Sequence, residues 1–244
     1  MERHVLIAYG DGKELGDFSI FARTLKRDLE GTYDAVKVKY INRDKDLFGF
    51  IKTVPPAKAR IAELHVFTHA IGAGIFLGYG DKSIGDARNA VVRASALRTK
   101  LLKKPSPITY EEVVKTEVGG LLTDDLTASG QYSSEKAEAR RRFEKGAFIK
   151  LWGCNAAVEN HKYSGLYWEA LNLKNSPKPS IAQAMAGFFN VTVYGATSGA
   201  SIEVRANTGW MSTQVYKDAS GRWPSGALPH RLVPDRGTYR AYTP

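Results

Sequence analysis

A single cysteine, Cys154, in 244 residues leaves the chain no intrachain disulfide and no all-cysteine zinc site. No apolar run reaches the roughly 18 residues of a membrane helix, so no membrane span is expected. Gly-x-Gly-x-x-Gly and P-loop sequences are missing, and so are internal repeats, low-complexity tracts and any clear interdomain linker. The amino terminus, Met1 to Ile7, enters a strand-like run without a secretory signal. The expected location is therefore the cytoplasm, or outside the cell by a route that needs no cleavable signal peptide. Acidic residues are in deficit: 35 Lys and Arg against 25 Asp and Glu give a net charge of +10. That balance favours polyanionic partners and says nothing about fold. A hydrophobic content of 43% with 25% charged residues excludes a disordered chain or a collagen-like repeat. The length suits one domain, residues 1–244, with an inserted helical or loop region at about 82–146.

What is present is an alternation of strand and helix signals. His4 to Tyr9 is a short apolar run that ends at the turn Gly10-Asp11-Gly12. Phe18, Phe21, Ala22, Leu25 and Leu29 recur at helical spacing after Asp17, a plausible N-cap. Val36 to Tyr40 predicts a second strand, Leu47 to Val54 a helix closed by Pro55-Pro56, and Leu64 to Thr68 a third strand. This order predicts an α/β fold with a mostly parallel sheet and helices on both faces, a three-layer sandwich. Gly72 to Gly80 fits a hairpin or a loop, and Thr109 to Leu122 fits helix or extended chain. Ala87 to Lys104 reads as a basic helix, Thr123 to Ser134 as turns and Glu135 to Lys145 as a charged helix. Strands are expected again at Ala147 to Gly153 and Val191 to Tyr194, with helices around Leu166 to Leu173 and at Ile181 to Phe189. Beyond Ser201 only short strand-like runs stand out, at Met211 to Tyr216 and Tyr239 to Tyr242.

Two reactive residues hold equivalent places in this pattern. His69 follows the third strand and Cys154 the fourth. Ligands of open parallel sheets bind beyond the carboxyl ends of the strands, so neighbouring strands would present the two side chains together. A thiol needs a base or an imidazolium beside it to supply thiolate at neutral pH. The competing reading makes Cys154 a small buried hydrophobe and His69 a hydrogen-bonded structural residue.

The surrounding residues, Leu64-His65-Val66-Phe67-Thr68-His69 with Gly72 and Gly74, and Leu151-Trp152-Gly153-Cys154-Asn155, precede a helix and a strand that lead to Gly195-Ala196-Thr197-Ser198-Gly199. This arrangement resembles the caspase-like cysteine peptidases, a superfamily with caspases, gingipains, separases and the self-cleaving domains of bacterial toxins, and it is most like the bacterial members. The resemblance spans about Val5 to Gly199, and its specific part is the two strand ends. It implies a flavodoxin-like strand order, thiol-dependent hydrolysis of peptide bonds, Cys154 as nucleophile, His69 as base and no cofactor. It also implies an oxyanion hole from the amides of Cys154 and the residue after His69, which is Ala70, with Ile71 next. The superfamily usually has glycine where this chain has Ala70, and its insertion between the two strands is usually shorter. Those departures leave the alternative of an inactive caspase-like module that binds a protein or polyanion. Thr197, Ser198 and Arg205 are the expected substrate-binding residues; Glu203 beside Arg205 favours a small or apolar P1 residue.

The remaining signals are weaker. Gly10-Asp11-Gly12 suggests a phosphate-binding turn or, more simply, an acidic turn. His65, His69, Glu63 and Asp81 lack metal-ligand spacing, so no metal is expected and His65 belongs to a buried strand. His161 fits a cleft or a surface loop, and Asp124-Asp125 a loop pair. The basic runs Arg93 to Lys104 and Arg140-Arg141-Arg142 fit solvated helix faces, or a polyanion site if they converge. The expected partner is a protein or peptide substrate; the oligomeric state is left open.

Overall fold

Strand β1 (Glu2–Tyr9) is buried from His4 through Ala8, the pattern of a strand covered on both faces. It lies inside a six-stranded sheet in a computed structural model that describes residues 1–11, 18–72, 74–78, 120–153, 156–159, 179–197, 200–204, 213–216 and 239–244. From β1 the chain passes through α1 (Phe18–Leu29) to the edge strand β2 (Ala35–Tyr40), then through α2 (Asp44–Lys52) to β3 (Ala59–Phe67). A three-stranded antiparallel sheet follows, from β4 (His69–Ile71), β5 (Gly74–Phe76) and β6 (Gly120–Leu122). After two short 3-10 turns, α3 (Lys136–Arg142) leads into β7 (Phe143–Leu151), and α4 (Ile181–Phe189) into β8 (Thr192–Ala196). Strands β9 (Ala200–Val204) and β10 (Thr213–Tyr216) pair as a separate ribbon, and β11 (Tyr239–Tyr242) returns to the main sheet.

The main sheet runs β2-β1-β3-β7-β8-β11, with β11 antiparallel to β8 and every other pair parallel. The five parallel strands thus follow the 2-1-3-4-5 order of flavodoxin-like sheets, and their carboxyl ends form one edge. Alternation along each strand divides the interior into two layers. Val5, Ile7, Phe67 and Trp152 face Phe18, Ala22, Leu25 and Leu29 of α1. Leu6, Ala8, Leu64, Val66 and Ile149 face the other way, toward Leu47, Phe48 and Ile51 of α2 and Phe188 and Phe189 of α4. The core on this side includes tight aromatic packing, with Tyr132 stacked on Phe48 at 3.9 Å and 14°. Truncating a residue buried as Leu25 is, at 1% exposure, costs about 2–5 kcal/mol.

Several boundaries differ from expectation. The expected strand at Leu64 begins at Ala59, and α2 begins at Asp44, whose carboxylate with that of Asp46 suits a helix N-terminus. The charged helix stops at Arg142 because Phe143, 7% exposed, packs on Phe189 at 5.5 Å and opens β7. Residues 143–146 therefore belong to β7 rather than to an insertion ending at 146. The β3–β7 register shifts there, and Gly146 takes φ +83°. Gly72 and Gly74 belong to a hairpin, and residues 120–122 of the ambiguous stretch are extended. The predicted helices at 87–104 and around 166–173 lie outside the described residues.

The arginines of α3 have a structural use. Arg140 donates to the carbonyls of Phe188 (2.9 Å) and Gly187 (2.6 Å) at the end of α4. Arg142 donates to those of Lys52 (3.0 Å) and Val54 beyond α2, and to Glu138 at 2.5 Å. Both guanidinium groups satisfy carbonyls that a helix end leaves open. The expected solvated face of Arg140-Arg141-Arg142 thus keeps only Arg141 for a polyanion; Arg93 to Lys104 lies outside the described residues.

Candidate active site

The carboxyl edge of the sheet is fastened by backbone contacts between strand ends. Gly10 N–H donates to Phe67 O (2.8 Å) and Asp11 N–H to Leu77 O (2.7 Å), tying the turn after β1 to the hairpin after β3. A Cβ on Gly10 would lie 2.4 Å from Leu77 O, so close approach of the hairpin explains this glycine without a phosphate. Thr68, 1% exposed, donates its hydroxyl to Phe76 O at 2.6 Å and closes the hairpin base.

His69 opens β4 and pairs with Phe76 of β5. Its ring is half-buried against Phe18, with centroids 5.1 Å apart and planes at 59°. The imidazole therefore occupies the edge on the α1 side, in line with Glu63, His65 and Phe67 along β3. Ala70 follows in extended backbone; among described residues only Asn190 has a positive φ without being glycine. The position after His69 thus accommodates a Cβ without strain.

Gly153 shows why a glycine is needed on the opposite strand. Trp152 N–H donates to Val66 O at 2.9 Å, extending the ladder one residue past β7. At Gly153 a Cβ would stand 2.6 Å from both Ala70 Cβ and Thr68 O, and 3.0 Å from Ala70 N. The residue before Cys154 is therefore pressed onto the backbone on either side of His69. The carbonyl of Ala156 accepts from Ala182 N–H at 3.0 Å, while Ala157 N–H donates to Ala196 O at 2.9 Å. Ile181 N–H donates to Gly72 O at 2.6 Å, so the first residue of α4 joins the hairpin to this edge. The Tyr242 hydroxyl lies 2.6 Å from Glu159 Oε1 and 3.0 Å from Ala157 O, and Arg240 reaches Glu159 at 2.9 Å. Their hydrogen bonds hold the Glu159 carboxyl below the usual carboxylate range.

Beneath the edge lies a buried polar chain absent from the sequence expectations. Trp152 donates its indole N–H to His65 Nδ1 at 3.3 Å, and His65 Nε2 lies 2.9 Å from Glu63 Oε2. Glu63 Oε1 also accepts the Tyr33 hydroxyl. Nδ1 must accept here, so His65 is the neutral tautomer with its proton on Nε2. Burial holds its pKa below the usual histidine range, and the Lys150 charge acts in the same direction against the pull of Glu63. Burial alone would raise Glu63, but hydrogen bonds from His65 and Tyr33 and the charge of Arg3 keep it below the usual carboxylate range. Lys150, 1% exposed, places its ammonium 4.4 Å from the Trp152 ring and 3.7 Å from that of Tyr239.

His65 does lie in a buried strand, with both ring nitrogens engaged within the protein. Among the described residues no group of three His, Cys, Asp or Glu side chains could hold a metal. Thr197 is half-buried, directly after β8 at the same edge. Asp125 is buried and accepts from Leu122 N–H at 3.0 Å, giving the expected loop pair a structural role. Cys154, His161, Ser198, Arg205 and Asp81 lie outside the described residues, as does the side chain of Glu203. No helix among the described residues is long and apolar enough to cross a membrane. The network of Trp152, His65, Glu63 and Lys150 was hidden in the sequence; its one visible sign was the charged and polar residues interrupting otherwise apolar strands. Comparison with known proteins finds no family model, no curated protein and no solved structure that matches the chain.

Proposed function

We propose that the chain is a caspase-like cysteine peptidase in which Cys154 and His69 hydrolyse peptide bonds. The observation that carries the reading is the packing of Gly153 against Thr68 and Ala70, which brings the position before Cys154 onto the strand end that bears His69. Support also comes from the 2-1-3-4-5 order of the parallel strands, since the carboxyl edge of such a sheet is where ligands bind. The extended backbone at Ala70 removes the objection that this position needs glycine.

The Cys154 thiolate attacks the scissile carbonyl carbon, and the amides of Cys154 and Ala70 donate to the oxyanion. Collapse breaks the C–N bond as the imidazolium of His69 gives its proton to the leaving amine. Water, deprotonated by His69, then attacks the thioester and releases the carboxylic acid and the thiol. The P1 residue is read by Thr197 and Ser198 after β8 together with Arg205, which follows β9 in the chain, and a small or apolar side chain is preferred.

A peptide library cleaved by the full chain tests the reading. Cleavage is expected with the wild type and lost in both Cys154→Ala and His69→Ala, with the double variant little worse than either. Normal turnover by folded Cys154→Ala overturns the mechanism.

A further inference from the structure

Along β3, the residues Glu63, His65 and Phe67 share the α1 side of the sheet, and the next position on that side is His69. Trp152 grips this row at two consecutive places. Its indole N–H bonds to His65 at 3.3 Å, and its ring stacks on Phe67 with centroids 4.9 Å apart and planes at 11°. Cys154 follows Trp152 by two residues in the sequence. Trp152 is thus the last buried side chain that joins β7 to β3 before the pair that must meet.

Each member of the buried chain fixes the next. The Glu63 carboxylate, supported by the Tyr33 hydroxyl, takes the Nε2 proton of His65 in a hydrogen bond. This leaves Nδ1 free of a proton to receive the indole N–H. The Lys150 ammonium sits over the other side of the arrangement, between Trp152 and Tyr239. Apolar residues of similar volume commonly serve stability as well as buried charged groups, so stability is a poor account of this cluster.

We infer that Trp152 is a positioning residue for Cys154: clipped to His65 and Phe67, it sets the lateral offset between the nucleophile's strand end and that of His69. The inference rests on the peptidase reading for its purpose, and a displacement of about 1 Å in a well-oriented site costs on the order of a hundredfold in rate.

Because Cys154 is the sole thiol, its alkylation by iodoacetamide in the full chain reads this position directly. Trp152→Phe keeps a ring on Phe67 and removes the N–H; the alkylation rate at neutral pH is expected to fall about tenfold. His65→Leu is expected to do the same, and the double variant to be no slower than either single one. A destabilised control, Phe48→Leu in the core on the opposite face, should lower Tm and leave the rate unchanged. Rates for Trp152→Phe and His65→Leu within about twofold of wild type, with Tm lowered, overturn the inference as a purely structural role; if Trp152→Phe does not fold, His65→Leu decides alone. His69→Ala in the same series reports on the dyad independently. A slow Trp152→Phe with a normal His69→Ala means that Trp152 acts on the thiol by a route other than its offset from His69 and overturns both the dyad and this positioning role; a normal Trp152→Phe with a slow His69→Ala removes the positioning role and keeps the dyad.

Discussion

Gly153 and Ala70 are fitted to one another: a side chain at the first would stand 2.6 Å from the Cβ of the second. The close approach of the two strand ends needs one glycine, and the chain supplies it beside Cys154 instead of after His69. Gly153→Ala should therefore destabilise the protein by about 1–3 kcal/mol, read by denaturant unfolding. Ala70→Gly in the same chain should recover part of that loss, but only part, because Thr68 O stands at the same 2.6 Å. Wild-type stability of the single variant would mean that the strand ends are not packed this way.

Acidification should weaken the fold through His65. Its folded pKa is lowered by burial, so below its unfolded value, near 6.5, the unfolded state binds more protons. Stability is therefore lost as pH falls below about 6.5, at no more than about 1.4 kcal/mol per pH unit for one proton. Glu63, also held low when folded, adds a loss below about 4.5 as its carboxylate must be protonated. Unfolding midpoints measured from pH 8 to 4 should decline in these two windows. In a His65→Leu variant the decline between pH 6.5 and 5 should flatten; an unchanged curve would show that His65 is not the group responsible.

The Arg142 side chain, 11% exposed, satisfies carbonyls beyond α2 while pairing with Glu138. Arg142→Met keeps most of the apolar stem and removes the donors. It should cost about 1–3 kcal/mol in a thermal or denaturant melt, chiefly because the part-buried Val54 acceptor is left open. Replacing Arg141, which is exposed, should leave the melt within about 0.5 kcal/mol of wild type. Equal effects at the two positions would contradict the assigned roles.

The alternating pattern from Val5 to Phe67 announces the parallel strands, and the residues that end β3 and β7 announce the candidate site. Ile181–Phe189 has the bounds expected of it, and the structure shows Ser180 capping its start and Asn190, at φ 60°, ending it. Other features depend on register, which a single chain does not display. His65 reads as a polar residue in an apolar run until β3–β7 pairing sets it opposite Lys150. The close approach at Gly153 likewise depends on Ala70, which lies on another strand. Tyr239–Tyr242 is half polar, and only its pairing with β8 and the burial of Tyr239 make it a sheet edge. Arg140 and Arg142 look like solvated charges because helix-end carbonyls belong to tertiary structure.

The central claim, that His69 activates Cys154, is tested most directly by NMR of the chain labelled with 13Cβ-cysteine, where the only cysteine gives one titrating resonance. The account predicts a thiolate that forms with a midpoint well below the ordinary value of about 8.5 in the wild type, and that returns toward it in His69→Ala. A wild-type midpoint at or above about 8.5, or one that His69→Ala leaves in place, would contradict it.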